Sequence, residues 1–199
     1  MRNLERELNA AASAVRQRHL DQIRGLGVSM AFVAEVGRDH APFGVTAVEA
    51  VGGGLYQPGA GMPHLILPVI EDHVLVDLCA VHSSNPSSWL LRTGNGWALG
   101  LKDGLNRWLW YSPKGVNRFG EVRHQVGRPT HIFSSPIDWL QGAGEGICVL
   151  DWSAPEVRHL DVLPEVTCSD RETALLLEQA LRRPARLPKI STMEVARAA

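Results

Sequence analysis

Residues Thr130–Trp152 read THIFSSPIDWLQGAGEGICVLDW, and this stretch decides the class of fold. The run around Ile132 and Phe133 predicts a strand over His131–Ser134. Ser135 then stands where a helix cap belongs, and Pro136 takes the first helical position with its φ already set. Asp138 falls in the first turn, where a carboxylate suits the helix dipole. Gly142 and Gly144 end that helix, and Ile147–Trp152 predicts a second, buried strand. A strand, helix and strand this compact favour parallel pairing through a right-handed crossover.

Downstream, after a turn around Pro155, Glu165–Cys168 predicts a third strand. Ser169-Asp170-Arg171-Glu172 then reads as a capping box, opening a helix through Ala174, Leu175, Leu177, Ala180 and Leu181 that Pro184 halts. Residues 130–184 are thus expected to form a small C-terminal βαββα lobe, and 185–199 a loosely held tail.

Upstream, the pattern changes. Phe43–Val51 alternates as a strand should, with Gly52-Gly53-Gly54 breaking it. His64–Ile70 and Val74–Val81 predict a hairpin about Glu71-Asp72-His73, and Pro68 marks the first of these as an edge strand or a bulged one. Ser88–Thr93 and Trp97–Leu101 surround Gly94-Asn95-Gly96, where Asn-Gly signals a further hairpin. Residues 41–129 are therefore expected to hold a central antiparallel sheet of hairpins, ending in an irregular region, 102–129, punctuated by Gly104, Pro113, Gly115, Gly120, Gly127 and Pro129. At the N-terminal end, Leu4, Leu8, Ala11, Ala12, Val15, His19 and Ile23 recur at helical spacing, predicting one amphipathic helix over 3–24. Ser29 caps a second over Met30–Val36, making a helical hairpin within residues 1–40. The fold class expected is α+β.

A chain of 199 residues with 45% hydrophobic and 21% charged side chains is long enough for a substantial core. Its formal net charge of −1 excludes a global field that would draw nucleic acid or membrane, so any such binding requires a local patch. Cys79, Cys148 and Cys168 are widely spaced and unpaired in pattern, as in a reduced, cytoplasmic protein. The first residues lack the apolar core of a signal peptide, and glycines and prolines in the uncharged stretch Ala50–Ile70 exclude a spanning helix. No membrane partner is expected.

The local patch lies in the irregular region. Lys102, Arg107, Lys114, Arg118, Arg123 and Arg128 outnumber Asp103 and Glu121 by four, and Trp108, Trp110, Tyr111 and Phe119 are interleaved with them. Cations between aromatics are how single strands are gripped, each stacked base being worth roughly 1–3 kcal/mol. Arg107, Trp108, Trp110, Lys114 and Arg118 are the candidate nucleic-acid-binding residues. A solvated loop anchored to the sheet by its aromatics is the plainer alternative. Arg182, Arg183, Arg186 and Lys189 suit the dipole of the last helix without any ligand.

Other constellations are weaker. Gly52-Gly53-Gly54 lacks the following Lys-Ser or Lys-Thr of a P-loop, and His64, His73, His82 and Cys79 have no zinc-ligand spacing on a recognised scaffold. No cofactor or metal is expected on these grounds. Ser83, Ser84, Ser134 and Ser135 have no identifiable base partner. Asp151, Asp161 and Asp170 follow or flank the C-terminal strands, where carboxylates can hold magnesium. Asp151 and Asp170 are the catalytic candidates should the protein be a magnesium-dependent nucleotidyl- or phosphoryl-transfer enzyme.

Two resemblances follow from these residues. His64-Leu-Ile-Leu-Pro-Val, Val76-Asp77-Leu78, Trp89-Leu-Leu-Arg-Thr-Gly, Ser135-Pro-Ile-Asp-Trp-Leu and Gly146-Ile-Cys-Val-Leu-Asp151 together resemble uncharacterised proteins of bacterial prophage and mobile regions. The order of elements, with Leu26-Gly27-Val28 at the helical entry, is similar to that of toprim-containing phage and plasmid primases. Toprim enzymes place a Glu where Ser134-Ser135-Pro136 stands here, and Asp-x-Asp where Asp151-Trp152-Ser153 stands. The resemblance therefore implies a degenerate, non-catalytic relative, since two-metal chemistry needs several converging carboxylates. The expected function is a non-enzymatic accessory factor of phage-like DNA metabolism that grips single-stranded nucleic acid through the 102–128 region, with a replication protein as the other expected partner. The magnesium enzyme, and a protein-interaction module anchored by Trp108 and Trp110, are the competing expectations.

Overall fold

A computed structural model describes residues 3–37, 41–71, 74–82, 84–100, 129–163 and 165–183. The chain is of mixed α and β structure, in two sheets. The first is a closed five-stranded barrel in the order β1-β2-β5-β4-β3, built from β1 (Gly44–Gly52), β2 (Leu55–Pro58), β3 (Met62–Glu71), β4 (Val74–His82) and β5 (Asn85–Leu91). Neighbouring strands are antiparallel except β2 and β5, which close the ring in parallel at Leu55 and Leu91. The antiparallel sheet of hairpins expected from the sequence is thus closed into a ring, which leaves it no free edge. Pro68 costs little here because the pairing of β3 with β1 stops at Ile66, opposite the start of β1, and the ladder with β4 is bulged at Val69 and Ile70.

Alternation divides the barrel residues between two clusters. Ile66, Leu78 and Ala80 pack with Leu8 and Ala11 of α1 (Leu4–Ser13). Leu65, Leu67, Val69, Cys79 and Val81 pack with Ile23 of α2 (Gln17–Gly25) and with Phe32 and Val36 of α3 (Met30–Val36). This explains why 3–24 is two helices and not the single one its periodicity predicts. The halves bury their apolar stripes in different clusters, so the chain breaks between them. Ser13 Oγ donates back to the Asn9 carbonyl, and His19 Nδ1 accepts the Arg16 N–H to open α2.

The Asn-Gly hairpin is not formed, and the reason is tertiary. Asp77, fully buried, accepts five backbone N–H groups. Its Oδ1 takes those of Leu78, Arg92 and Thr93 at 2.7, 3.0 and 2.9 Å, and its Oδ2 those of Asn95 and Gly96 at 2.9 and 3.1 Å. Residues 92–96 wrap this carboxylate and do not turn back on themselves. Gly96 is needed at that point, since a Cβ there would lie 2.8 Å from that of Asp77 and 2.7 Å from Val69 Cγ1. The strand that follows, β6 (Ala98–Leu99), then pairs in the second sheet.

That sheet has the order β6-β8-β7-β9, with β7 (Thr130–Phe133), β8 (Ile147–Val149) and β9 (Val166–Cys168). The last three are mutually parallel, as the compact strand–helix–strand predicts, and β6 is antiparallel to β8. Leu99, Phe133, Cys148 and Leu150 face the barrel side with Ile137, Trp139 and Leu140 of α4 (Pro136–Gln141). Ala98, Ile132, Ile147 and Val149 face Val157 and Leu160 of a 3-10 helix (Pro155–Val162) and Leu177 and Ala180 of α5 (Arg171–Arg182). The sheet is thus covered on both faces, as parallel sheets require. Trp89 Nε1 donates to the Leu150 carbonyl at 3.0 Å and ties the barrel to it.

Candidate functional site

The ends of the parallel strands are where α/β sheets present ligands. Three acids lie there, each engaged locally. Asp151 Oδ1 accepts the N–H and hydroxyl of Ser153 at 2.8 and 2.6 Å. Asp138 accepts the hydroxyls of Ser134 and Ser135 at 2.8 and 2.7 Å. Asp170 caps α5, its Oδ1 taking the Thr173 N–H at 2.7 Å. That N–H, helped by the Thr173 hydroxyl, holds Asp170 below the usual carboxylate range. Ser169, placed in the capping box by the sequence, instead donates to the Ile132 carbonyl at 3.2 Å. Asp151 follows β8 and Asp170 follows β9, with β7 between them, so their strands lie about 10 Å apart.

Arg107, Trp108, Trp110, Lys114 and Arg118 lie outside the described residues. The attachment points of their segment are described. Leu99 pairs with Cys148 on an antiparallel strand, so the chain leaves toward the start of β8. It returns at Thr130, the start of β7. Both attachments therefore occupy the end of the sheet opposite Asp151 and Asp170, about two strand spacings, or ~10 Å, apart.

A third location emerges only on folding. A cleft of about 360 Å³ lies between α2, the barrel and the start of α4. Arg18, His19 and Gln22 face it from α2, His64 from β3, His82 from β4, with Ser84 beside it. The rings of His64 and His82 meet edge to face, with centroids 5.0 Å apart. His64 Nδ1 lies 2.8 Å from the Met62 carbonyl, which can only accept, so Nδ1 carries the proton and Nε2 a lone pair. His82 Nδ1 accepts the Ser84 N–H at 3.2 Å, so its proton sits on Nε2. Burial, and then His82 beside it, keeps His64 below the ordinary histidine pKa, against the pull of its bond to Met62. His19 is lowered by burial, then by Arg18 and Arg16.

Of the histidines that the sequence offers as zinc ligands, His73 lies outside the described residues. Folding brings His64 to His82, while Cys79 turns into the core, where burial raises its thiol pKa well above the usual value. Among the described residues no three His, Cys, Asp or Glu side chains are grouped to hold a metal ion. Cys148 is likewise buried with its pKa raised, so neither thiol is poised as a nucleophile. His19 carried no signal in the sequence beyond its place in a helical pattern. His64 and His82 were visible as β-strand residues, but their meeting depends on strand register. Comparison with protein-family models, curated proteins and solved structures gives no match. No helix among the described residues is long and apolar enough to cross a membrane.

Proposed function

We propose that this protein is a non-enzymatic accessory factor of phage-like DNA metabolism that grips single-stranded nucleic acid through Arg107, Trp108, Trp110, Lys114 and Arg118. The observation that carries the reading is the composition of 102–128, six cations against two acids with aromatics between them, in a chain whose net charge is −1. The attachment of that segment at one sheet end supports it, since the strands offer a firm base for both of its ends. The C-terminal lobe is read as a degenerate toprim-like unit, with Ser134-Ser135-Pro136 and Asp151-Trp152-Ser153 where acidic motifs would stand. The competing magnesium-dependent transferase has less support. Two-metal chemistry needs carboxylates converging on ions about 4 Å apart, whereas Asp151 and Asp170 cap separate turns on either side of β7.

Filter binding of a single-stranded oligonucleotide over a salt series tests the proposal. If Arg107, Lys114 and Arg118 each meet a phosphate, log affinity falls with log salt at a slope of about −2. Trp108→Ala costs about 1–3 kcal/mol of affinity for lost stacking. No retention at low salt removes the proposal. Magnesium-dependent phosphoryl transfer that Asp151→Asn abolishes replaces it with the enzyme.

A further inference from the structure

We propose that the cleft between α2 and the barrel binds a phosphate monoester carried on a compact apolar body. The inference goes beyond the nucleic-acid reading and uses no residue of 101–128. At about 360 Å³ the cleft is of the size that takes small organic molecules.

Its charge is one-sided. Among the described residues the ionisable side chains lining it are Arg18, His19, His64 and His82, without a carboxylate, and β1 and α4 contribute Val45 and Ile137. The cationic side chains are also poorly matched to each other. Arg16 N–H reaches His19 Nδ1 at 3.0 Å, while Arg18 Nε reaches His19 Nε2 at 3.1 Å. A neutral imidazole can accept only one of these donors, and a protonated one neither. An oxyanion at the cleft mouth supplies the acceptor that Arg18 lacks.

The two facing histidines narrow the ligand class. His64 offers a lone pair at Nε2 and His82 a proton at Nε2, and neither atom has a hydrogen-bond partner among the described residues. Near pH 6, where its second ionisation falls, about half of a phosphate monoester is the monoanion, which carries both P–OH and P–O⁻. It therefore satisfies both nitrogens at once. A carboxylate supplies acceptors alone and leaves the His64 lone pair unmatched. The remainder of the cleft is apolar, with Ile23, Leu65 and Ile137 buried at its base. Met62 stands at its rim 63% exposed, an apolar side chain that an apolar body would cover.

The test titrates the full chain with phenyl phosphate by calorimetry, while imidazole resonances are followed by NMR, with benzoate, benzyl alcohol and inorganic phosphate as matched probes. Phenyl phosphate is expected to bind at least ten-fold more tightly than each of the others and to shift the His64 and His82 resonances. Its affinity falls as pH is raised from about 6 to about 8, because the P–OH group is lost. His82→Gln is expected to weaken binding ten-fold. Arg18→Ala, on the exposed side of α2, weakens it several-fold with no change in fold. Equal affinity for benzyl alcohol or inorganic phosphate overturns the proposal. So does unchanged binding in both variants, or an absence of histidine shifts. Oligonucleotide retention is unaffected by Arg18→Ala if the two sites are separate, so failure of either reading is seen without the other.

Discussion

In the barrel, the polar groups that hold the strands are far apart in the chain. Asp77 gathers N–H groups up to 19 residues away, and Arg92 meets Glu7 across 85 residues, with Nε to Oε2 at 2.6 Å and Nη2 to Oε1 at 3.0 Å. In the C-terminal lobe the carboxylate bonds are short-range. Asp170 caps an N–H three residues on, and Ser135 and Asp138 bond across three residues. The barrel therefore depends on a few polar contacts that form only when distant segments come together, while the elements of the lobe carry their own start signals. Both regions bury apolar surface on alternating faces; they differ in where their carboxylates find partners.

Asp77→Asn tests that contrast most severely. The amide keeps one acceptor oxygen but turns an NH₂ toward two of the five N–H groups, and bonds to a charged acceptor are worth about 1.5–3 kcal/mol each. The expected loss is about 3–5 kcal/mol in chemical denaturation, with the barrel and not the lobe opening first in hydrogen exchange. A loss under 1 kcal/mol would show that the barrel does not hinge on this carboxylate.

Glu7→Ala comes next. Arg92 is 7% exposed, stacks its guanidinium over Tyr56 at 5.9 Å from the ring centroid, and donates to the Tyr56 carbonyl at 3.4 Å. Removing its carboxylate partner leaves a buried charge with weaker contacts, but Glu7 is itself partly exposed, so water recovers some of the cost. About 1–3 kcal/mol is expected, less in the double variant with Arg92→Met. Equal losses in the single and double variants would place the effect in helix packing and not in the ion pair.

The smallest effect belongs to the lobe. Asp170→Ala removes a cap and is expected to cost about 1 kcal/mol, while Asp170→Asn keeps most of it. Because the folded-state pKa is lowered, the carboxylate contributes stability above its unfolded value of 3.8, and that contribution is lost as pH falls through the lower folded value. The wild-type acid unfolding curve should therefore be steeper than that of Asp170→Asn. Identical curves would mean that the cap adds nothing beyond its shape.

Read from residues alone, the lobe was largely legible. Ser135-Pro136 with Asp138 marks the start of α4, and the strand, helix and strand are parallel as their compactness required. The 3-10 helix at Pro155–Val162 was the omission, because its eight residues lack an apolar period strong enough to separate it from a turn. The barrel was legible as strands and not as a ring. β2 at Leu55–Pro58 is too short to announce itself, yet it is the strand that closes the circle against β5.

The candidate sites divide in the same way. Composition alone singles out Arg107, Trp108, Trp110, Lys114 and Arg118, since an excess of cations among aromatics needs no coordinates to be seen. The cleft required them: His19, His64 and His82 come from a helix and two strands, and no spacing in the chain encodes their meeting.

Sequence by itself determined the local starts and stops, the alternating faces and the charge of each segment, because these depend on neighbours within a few positions. Tertiary structure decided the closure of the barrel, the break at Ala14–Arg16, the loop around Asp77 and the pairing of β6 with β8. Each of these is a competition between a local preference and a distant partner. A buried carboxylate collecting five N–H groups outweighs the turn preference of one Asn-Gly pair.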